Sequence, residues 1–312
     1  MYSTFSYEVY NKYLDNKDQL DKCLPDDFYY SYVDSFLTNY HFSVKFDNKN
    51  LYDLYYPDVL KPKCVARKIE GAYLNDRYMP VSIDEVVKRC VTVSNVIIKQ
   101  TQDTYGGFGV QFVDECDKNI EKLKSILKSG DNFIIQEIIQ QHDTLAAFNP
   151  QSINTIRIMT LFYDGEPHFM SAVLRMGING AKVDNCSSGG IVCGISEDGR
   201  LKNRAFDNAA NVYYKHPQGM AFEGIEVPSF HKCVETALRL SLRLTNVTKL
   251  VSWDFSVDKE GNPILIESNL TGGELDFHQL CNGPIWGDRT VYLLKKVFEE
   301  SPDIRKRLNF IY

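Results

Sequence analysis

The chain has 312 residues, 44% hydrophobic and 24% charged, enough to bury a core in one large domain or two to three small ones. Its net charge of −6, without a basic run, argues against nucleic acid as the main partner. No apolar run approaches the ~20 residues of a membrane span, Met1–Phe5 lacks the pattern of a signal peptide, and the eight cysteines form no Cys-x-x-Cys. Scattered thiols in a cytoplasmic protein are therefore expected, rather than a zinc site or a disulfide framework.

Residues 1–60 are dense in Tyr and Phe, as in Phe28-Tyr29-Tyr30 and Tyr52-Asp53-Leu54-Tyr55-Tyr56. Such rings are more often packing surface than a sugar-stacking platform. Cys64–Ile69 reads as a strand, and Ser82-Ile83-Asp84-Glu85 has capping-box form and opens a helix through Arg89. Val93–Lys99 is a strand ending in a lysine, followed by a polar loop with Gly106, Gly107 and Gly109. A lysine before a glycine-rich loop is a phosphate clamp in form, and equally the form of a plain turn; it matches neither a P-loop nor a Rossmann fingerprint. Asp117 is placed to cap a helix carrying Ile120, Leu123, Ile126 and Leu127 on one face, with Gly130 beyond its end.

Phe133–Ile139 is an apolar strand that holds Gln136 and Glu137. These two either point outward at a sheet edge or form a hinge for a nucleoside. From residue 153 the pattern is strands and hairpins. Ile156–Tyr163 and Phe169–Met176 flank one turn; Gly189–Ser196 and Arg200–Phe206 flank another. Pro228–Leu244 and Thr290–Glu300 read as helices. Arg157 and Arg175 lie inside apolar strands, where a guanidinium needs an anion: a fixed carboxylate or a phosphoryl group in transfer. Val183-Asp184-Asn185 through Gly189-Gly190 is a polar loop, either a turn or an anion nest. The mixture is α+β rather than a doubly wound sheet.

Trp253–Asn269 reads as two strands about Glu260-Gly261. A hairpin symmetric about that dipeptide places Asp254 opposite Glu267, with Cβ atoms roughly 4.5–5.5 Å apart, and Asn269 on the same face. Trp253, Phe255 and Val257 would then face Ile264 and Ile266 on the core side. Two carboxylates and an amide suit Mg²⁺ shared with phosphates; ordinary surface acids are the other reading.

In order along the chain, Lys99, the Gly106–Gly109 loop, Gln136-Glu137, Asn154-x-x-Arg157, Arg175, Asp184-Asn185, Gly189-Gly190 and Asp254…Glu267-x-Asn269 resemble the ATP-grasp superfamily. The resemblance spans roughly residues 60–290 and is greatest to the sugar-transfer associated ATP-grasp proteins of bacterial polysaccharide gene clusters. It implies an ATP-grasp fold with nucleotide held between two α+β subdomains. Residues 1–80 would be an aromatic-rich N-terminal region, 81–138 a lid or small subdomain, and 139–312 a large subdomain carrying the hairpin.

The resemblance also implies an ATP- and Mg²⁺-dependent carboxylate–amine ligase that works through an acyl phosphate in capsule or other surface polysaccharide biosynthesis. A kinase on the same fold and a non-catalytic ATP-binding component stay open. Lys99, Gly106, Gly107, Gly109, Gln136, Glu137 and Ile139 would hold ATP; Asp254, Glu267 and Asn269 the metal; and Arg157, Arg175 and Asn185 the reacting groups. Partners would be small-molecule carboxylates and amines, sugar-linked ones among them, with a homodimer left open. An earlier phosphate-binding lysine would fall to Arg67 or Lys68.

Overall fold

The computed structural model describes residues 7–101 and 109–300. Two antiparallel sheets carry the chain. The smaller contains β1 (Cys64–Ile69), β2 (Ala72–Leu74), β3 (Val96–Gln100), β4 (Val110–Val113) and β5 (Phe133–Glu137), in the order β2-β1-β5-β3-β4. Alternate residues Val96 and Ile98, and Phe133 and Ile135, pack with Val86, Cys90, Leu123 and Leu127 of the helices Ile83–Val93 and Ile120–Leu127.

The first helix starts as expected: Ser82 Oγ accepts from Glu85 N at 3.2 Å. It runs past Arg89 to Val93, and Ser94 ends it at φ 72°, so the strand begins only at Val96. Asp117 does not cap the second helix. Asn119 stands at that position without a side-chain capping bond, its amide turned back to Asp114 O. β1 and β2 lie in residues assigned above to the N-terminal region, yet belong to the small sheet, β1 pairing with β5 and β2 with β1. Gly106 and Gly107 lie outside the described residues.

The larger sheet contains β6 (Thr155–Tyr163), β7 (Glu166–Met176), β8 (Ile191–Ile195), β9 (Leu201–Phe206), β10 (Val212–Tyr213), β11 (Leu250–Val257) and β12 (Pro263–Asn269), in the order β10-β9-β8-β7-β6-β11-β12. Helix Phe230–Ser241 packs Cys233, Ala237 and Leu240 on one face. Helix Leu275–Asn282 packs Phe277, Leu280 and Cys281 against Val173, Val192 and Phe206 on the other. Both faces are covered: every residue of β11 is buried, and in β6 all but Phe162 and Tyr163.

The aromatic N-terminal segment completes this core. Tyr29, Val33 and Leu37 pack with Met159, Leu161 and Leu250. Tyr56 meets Trp253 edge-on at 5.9 Å, and Tyr52 Oη donates to Ser268 O at 3.3 Å. All eight cysteines are free thiols. Among the described residues, no helix is long and apolar enough to cross a membrane.

The β11–β12 hairpin departs from simple symmetry. Near the turn Phe255 pairs with Leu265 and Ser256 with Ile264, whereas Asp254 pairs with Glu267. A bulge at Ile266 absorbs the offset. Leu265 therefore takes the core position expected of Ile266, and Ile266 turns to the cleft between the sheets.

Gly190 closes the loop that carries Asp184 and Asn185. A Cβ there would lie 2.3 Å from Asp184 O and 2.9 Å from Met176 O, both backbone atoms. Gly190→Ala should destabilise the protein by about 1–3 kcal/mol, the usual penalty of overpacking, seen as a lower melting temperature. An unchanged melt would contradict this tight closure.

Candidate functional site

A cleft of about 1150 Å³ separates the two sheets. On the small-sheet side β3 presents Lys99 between Val110 of β4 and Ile134 of β5. The lysine has no ion-pair partner among the described residues. Burial, with the nearby Lys49 charge adding to it, lowers its pKa to about 8 against the opposing pull of Glu267 and Asp184. Glu137 and Ile139 line the cleft where the chain leaves β5, while Gln136, one residue earlier, does not. Gly109 pairs its carbonyl with Gln100 N at 3.1 Å, its φ is 75°, and its lack of a Cβ leaves room for the Gln100 side chain.

On the large-sheet side Arg157 of β6 and Asp254 of β11 are direct cross-strand partners. The guanidinium grips the carboxylate with a fork: Nε to Oδ1 at 2.7 Å and Nη2 to Oδ2 at 2.6 Å. Its remaining Nη1 pairs with Glu274. Arg175 Nη1 donates to the same Asp254 Oδ2 at 3.1 Å, and its Nη2 stands 4.0 Å from Asp184 Oδ1. Burial alone would raise the Asp254 carboxyl, but the Arg157 guanidinium outweighs it and holds the group below its usual range. Asp184 is raised by burial, against Arg175 and a hydrogen bond from Thr155 Oγ1. His278, buried beside these arginines, is pushed down to about 3 by burial and then by Arg157, so it adds no positive charge.

Glu267 faces Asp254 in the expected register, and Asn269 donates to Asp254 Oδ2 at 3.3 Å and to Ser252 O at 3.1 Å. Two carboxylates and an amide oxygen on one face are a hard donor set and fit Mg²⁺ in chemistry. Asp254 is already shared with two arginines, and Glu267 Oε1 lies 2.6 Å from Lys49 Nζ, so a cation would have to share these oxygens. Asn185 also lines the cleft, and its carbonyl accepts from Ser188 and Gly190 N–H at 3.0 and 2.9 Å. Asn154 is buried and structural: it bonds Leu145 O at 2.8 Å and Gly177 N at 3.2 Å.

Two cleft residues escape a reading of motifs. Lys49 sits in a polar turn without periodicity. Glu274 follows Gly272 and Gly273 in three successive residues at positive φ; the Gly-Gly pair just after Asn269 was its available signal. Neither Arg67 nor Lys68 lines the cleft. Arg67 pairs with Asp53 at 2.7 Å and stacks on Tyr78, and Lys68 Nζ points at Leu127 O and Ser129 O.

Residues 48–292 match the family model described as sugar-transfer associated ATP-grasp. No curated protein matches the chain by sequence. Among solved structures it is similar to D-alanyl-alanine synthetase A from Vibrio cholerae O1 biovar eltor str. N16961, with a TM-score of 0.51 and 12% identity over 81% of this chain and 64% of that one. It thus spans just under two thirds of that synthetase. Others are a biotin carboxylase from Campylobacter jejuni (TM-score 0.49, 15% identity, 80% of this chain, 46% of that) and D-cycloserine synthetase (0.46, 14%, 83%, 71%). The family match shows an ATP-grasp fold of α+β class, and the Vibrio structure is a likeness of fold.

Two outcomes follow from the charges. In the folded protein Lys99 loses its proton near pH 8, while an unfolded chain holds it to the ordinary value of 10.5. The cost of burying its charge is therefore present below pH 8 and relieved as pH rises between these values. For an anion in the cleft the sign is opposite: tripolyphosphate affinity, measured by calorimetry, should weaken from pH 7 to 9.5, and Lys99→Arg should flatten that profile. A flat wild-type profile would remove Lys99 from the anion site. Separately, Arg157→Ala leaves the buried Asp254 with Arg175 as its one remaining ion-pair partner among the described residues and should cost about 3–5 kcal/mol, with Arg157→Lys intermediate because it keeps the charge and loses the fork. An unchanged melting temperature for Arg157→Ala would contradict the pair.

Proposed function

The chain belongs to the sugar-transfer associated ATP-grasp family, and from that premise we propose that it is an ATP-dependent ligase joining a small-molecule carboxylate to an amine. The observation that carries this reading is the charge layout of the cleft. Lys99 on the small sheet faces Arg157 and Arg175 on the large one, across a space large enough for a nucleotide and a small acid.

In this reading the ATP phosphates lie along Lys99 and the glycine-rich segment that ends at Gly109. Glu137 and Ile139, where the chain passes from the small sheet to the large one, hold the nucleoside. The substrate carboxylate attacks the γ-phosphorus, giving an acyl phosphate and ADP. The amine nitrogen then attacks the acyl carbon, phosphate leaves, and the nitrogen loses a proton. No side chain acts as nucleophile; positioning and charge stabilisation supply the rate.

Arg175 suits the transferred group, because its Nε is buried without a hydrogen-bond partner among the described residues and such a donor is costly unless something meets it. Arg157 acts beside it and fixes Asp254, and Asn185 lines the acyl end. Asp254, Glu267 and Asn269 would hold Mg²⁺, which when bound supplies positive charge to the phosphates. The family's description as sugar-transfer associated supports a sugar-linked substrate and a place in surface polysaccharide biosynthesis.

Glu267→Gln keeps the shape of the hairpin and removes one anion. It should fold, and Mg²⁺-dependent ADP release, screened over amino acids and uronic acids, should fall about 10²–10³-fold, as on loss of one charge-stabilising group. Near-wild-type release would remove Glu267 from the site. Product analysis decides the reaction: an amide with free phosphate supports the ligase, and a phosphoester identifies a kinase.

A further inference from the structure

Lys49 begins a short 3₁₀ turn, Lys49–Leu51, that is fastened to the small sheet. Asn48 Oδ1 accepts from Asn50 N at 3.0 Å. The buried Asn50 amide donates to Lys68 O and to Thr101 Oγ1, each at 3.2 Å. Arg67 Nη1 and Tyr78 Oη donate to Asn50 O at 2.6 and 2.8 Å. The turn that carries Lys49 is thus held, through Asn50, to the same sheet as Lys99. The Lys49 side chain crosses the cleft to the other sheet, where Nζ lies 2.6 Å from Glu267 Oε1, with the lysine only 14% exposed.

Glu267 is the carboxylate directly opposite Asp254. Asp254 is neutralised by two arginines, but Glu267 has Lys49 alone among the described residues. A half-buried carboxylate without a counter-charge is costly, so this ammonium does at Glu267 what a bound cation would do.

We propose that Lys49 is the resident cation of the hairpin: it holds Glu267 until a divalent cation arrives with nucleotide, and its freed ammonium then turns to the phosphates beside Lys99. The proposal rests on the ATP-binding reading above. A divalent cation and an ammonium on one carboxylate oxygen repel strongly in a confined site. The anchored turn fixes the base of a flexible four-carbon stem, so the charged head can change partner without backbone movement. Metal alone must displace Lys49 with nothing to receive it, whereas metal with nucleotide supplies a new anion. The two ligands should therefore bind with positive coupling, of which Lys49 is the carrier.

The test is calorimetric titration of wild type and Lys49→Met with Mn²⁺ alone and with the Mg²⁺ complex of a non-hydrolysable ATP analogue, alongside thermal melts. Lys49→Met should bind Mn²⁺ alone more tightly and the analogue more weakly, each by about tenfold, the scale of one charge-assisted contact. Its melting temperature should fall in metal-free buffer and recover with Mn²⁺. Lys49→Arg should keep the wild-type pattern. If Lys49→Met does not fold, Lys49→Gln takes the same two titrations.

Unchanged affinities in a folded, uncharged variant, with the analogue still bound by wild type, would make Lys49 an ordinary ion pair and leave the ligase reading standing. Absence of analogue binding to wild type would overturn the reading beneath, and the proposal with it.

Discussion

The forked pair of Arg157 and Asp254, on adjacent strands of the larger sheet where it borders the cleft, is the constraint on which the site depends. Both charges are buried, and the fork makes each the other's main counter-charge. Their bond joins adjacent strands at one rung of the ladder, which fixes where β11 sits against β6 and therefore where β12 sits beyond it. Glu267 and Asn269 inherit their positions from that rung. Arg175 and Glu274 then add to the same pair from either side. Apolar packing makes the sheet, but the ion cluster sets its register at the cleft.

The cleft is organised by charge that each sheet cannot balance alone. The small sheet contributes Lys99 directly and Lys49 through the fastened turn. The large sheet contributes a nearly self-compensated cluster with Glu267 at its edge. Bringing the sheets together satisfies Glu267 with Lys49 and leaves Lys99 without an ion-pair partner among the described residues. A buried ammonium left without an ion-pair partner beside a paired ion network is a place that favours an anion.

Much of this was legible where periodicity and turn chemistry carry the information. The strand at Cys64–Ile69, the hairpin around Asp164-Gly165 and the Asp254–Glu267 register all follow from alternation and turn residues. Arginines inside apolar strands announced a buried anion. Its identity was not legible, because the partner lies 97 residues away and only the β6–β11 pairing brings the two together.

Helix Leu275–Asn282 was missed because it is buried on nearly every side, leaving no apolar stripe to detect. Lys49 was missed because a capped polar turn has no period. Asp117 had the right residue type for a cap, but Asn119 stands at the helix start.

The bulge at Ile266 has a consequence for ligand shape. In a regular strand neighbouring side chains fall on opposite faces, so a charged residue in a cleft has a core residue beside it. The bulge breaks that parity: Ile266 and Glu267 are consecutive in sequence, yet both border the cleft. One stretch of backbone thus offers a greasy step and an anionic step side by side, with Ile97, Val110 and Ile139 also lining the same space. An amphiphilic molecule, flat and apolar at one end and highly charged at the other, finds both of its surfaces matched within a single residue's advance along β12.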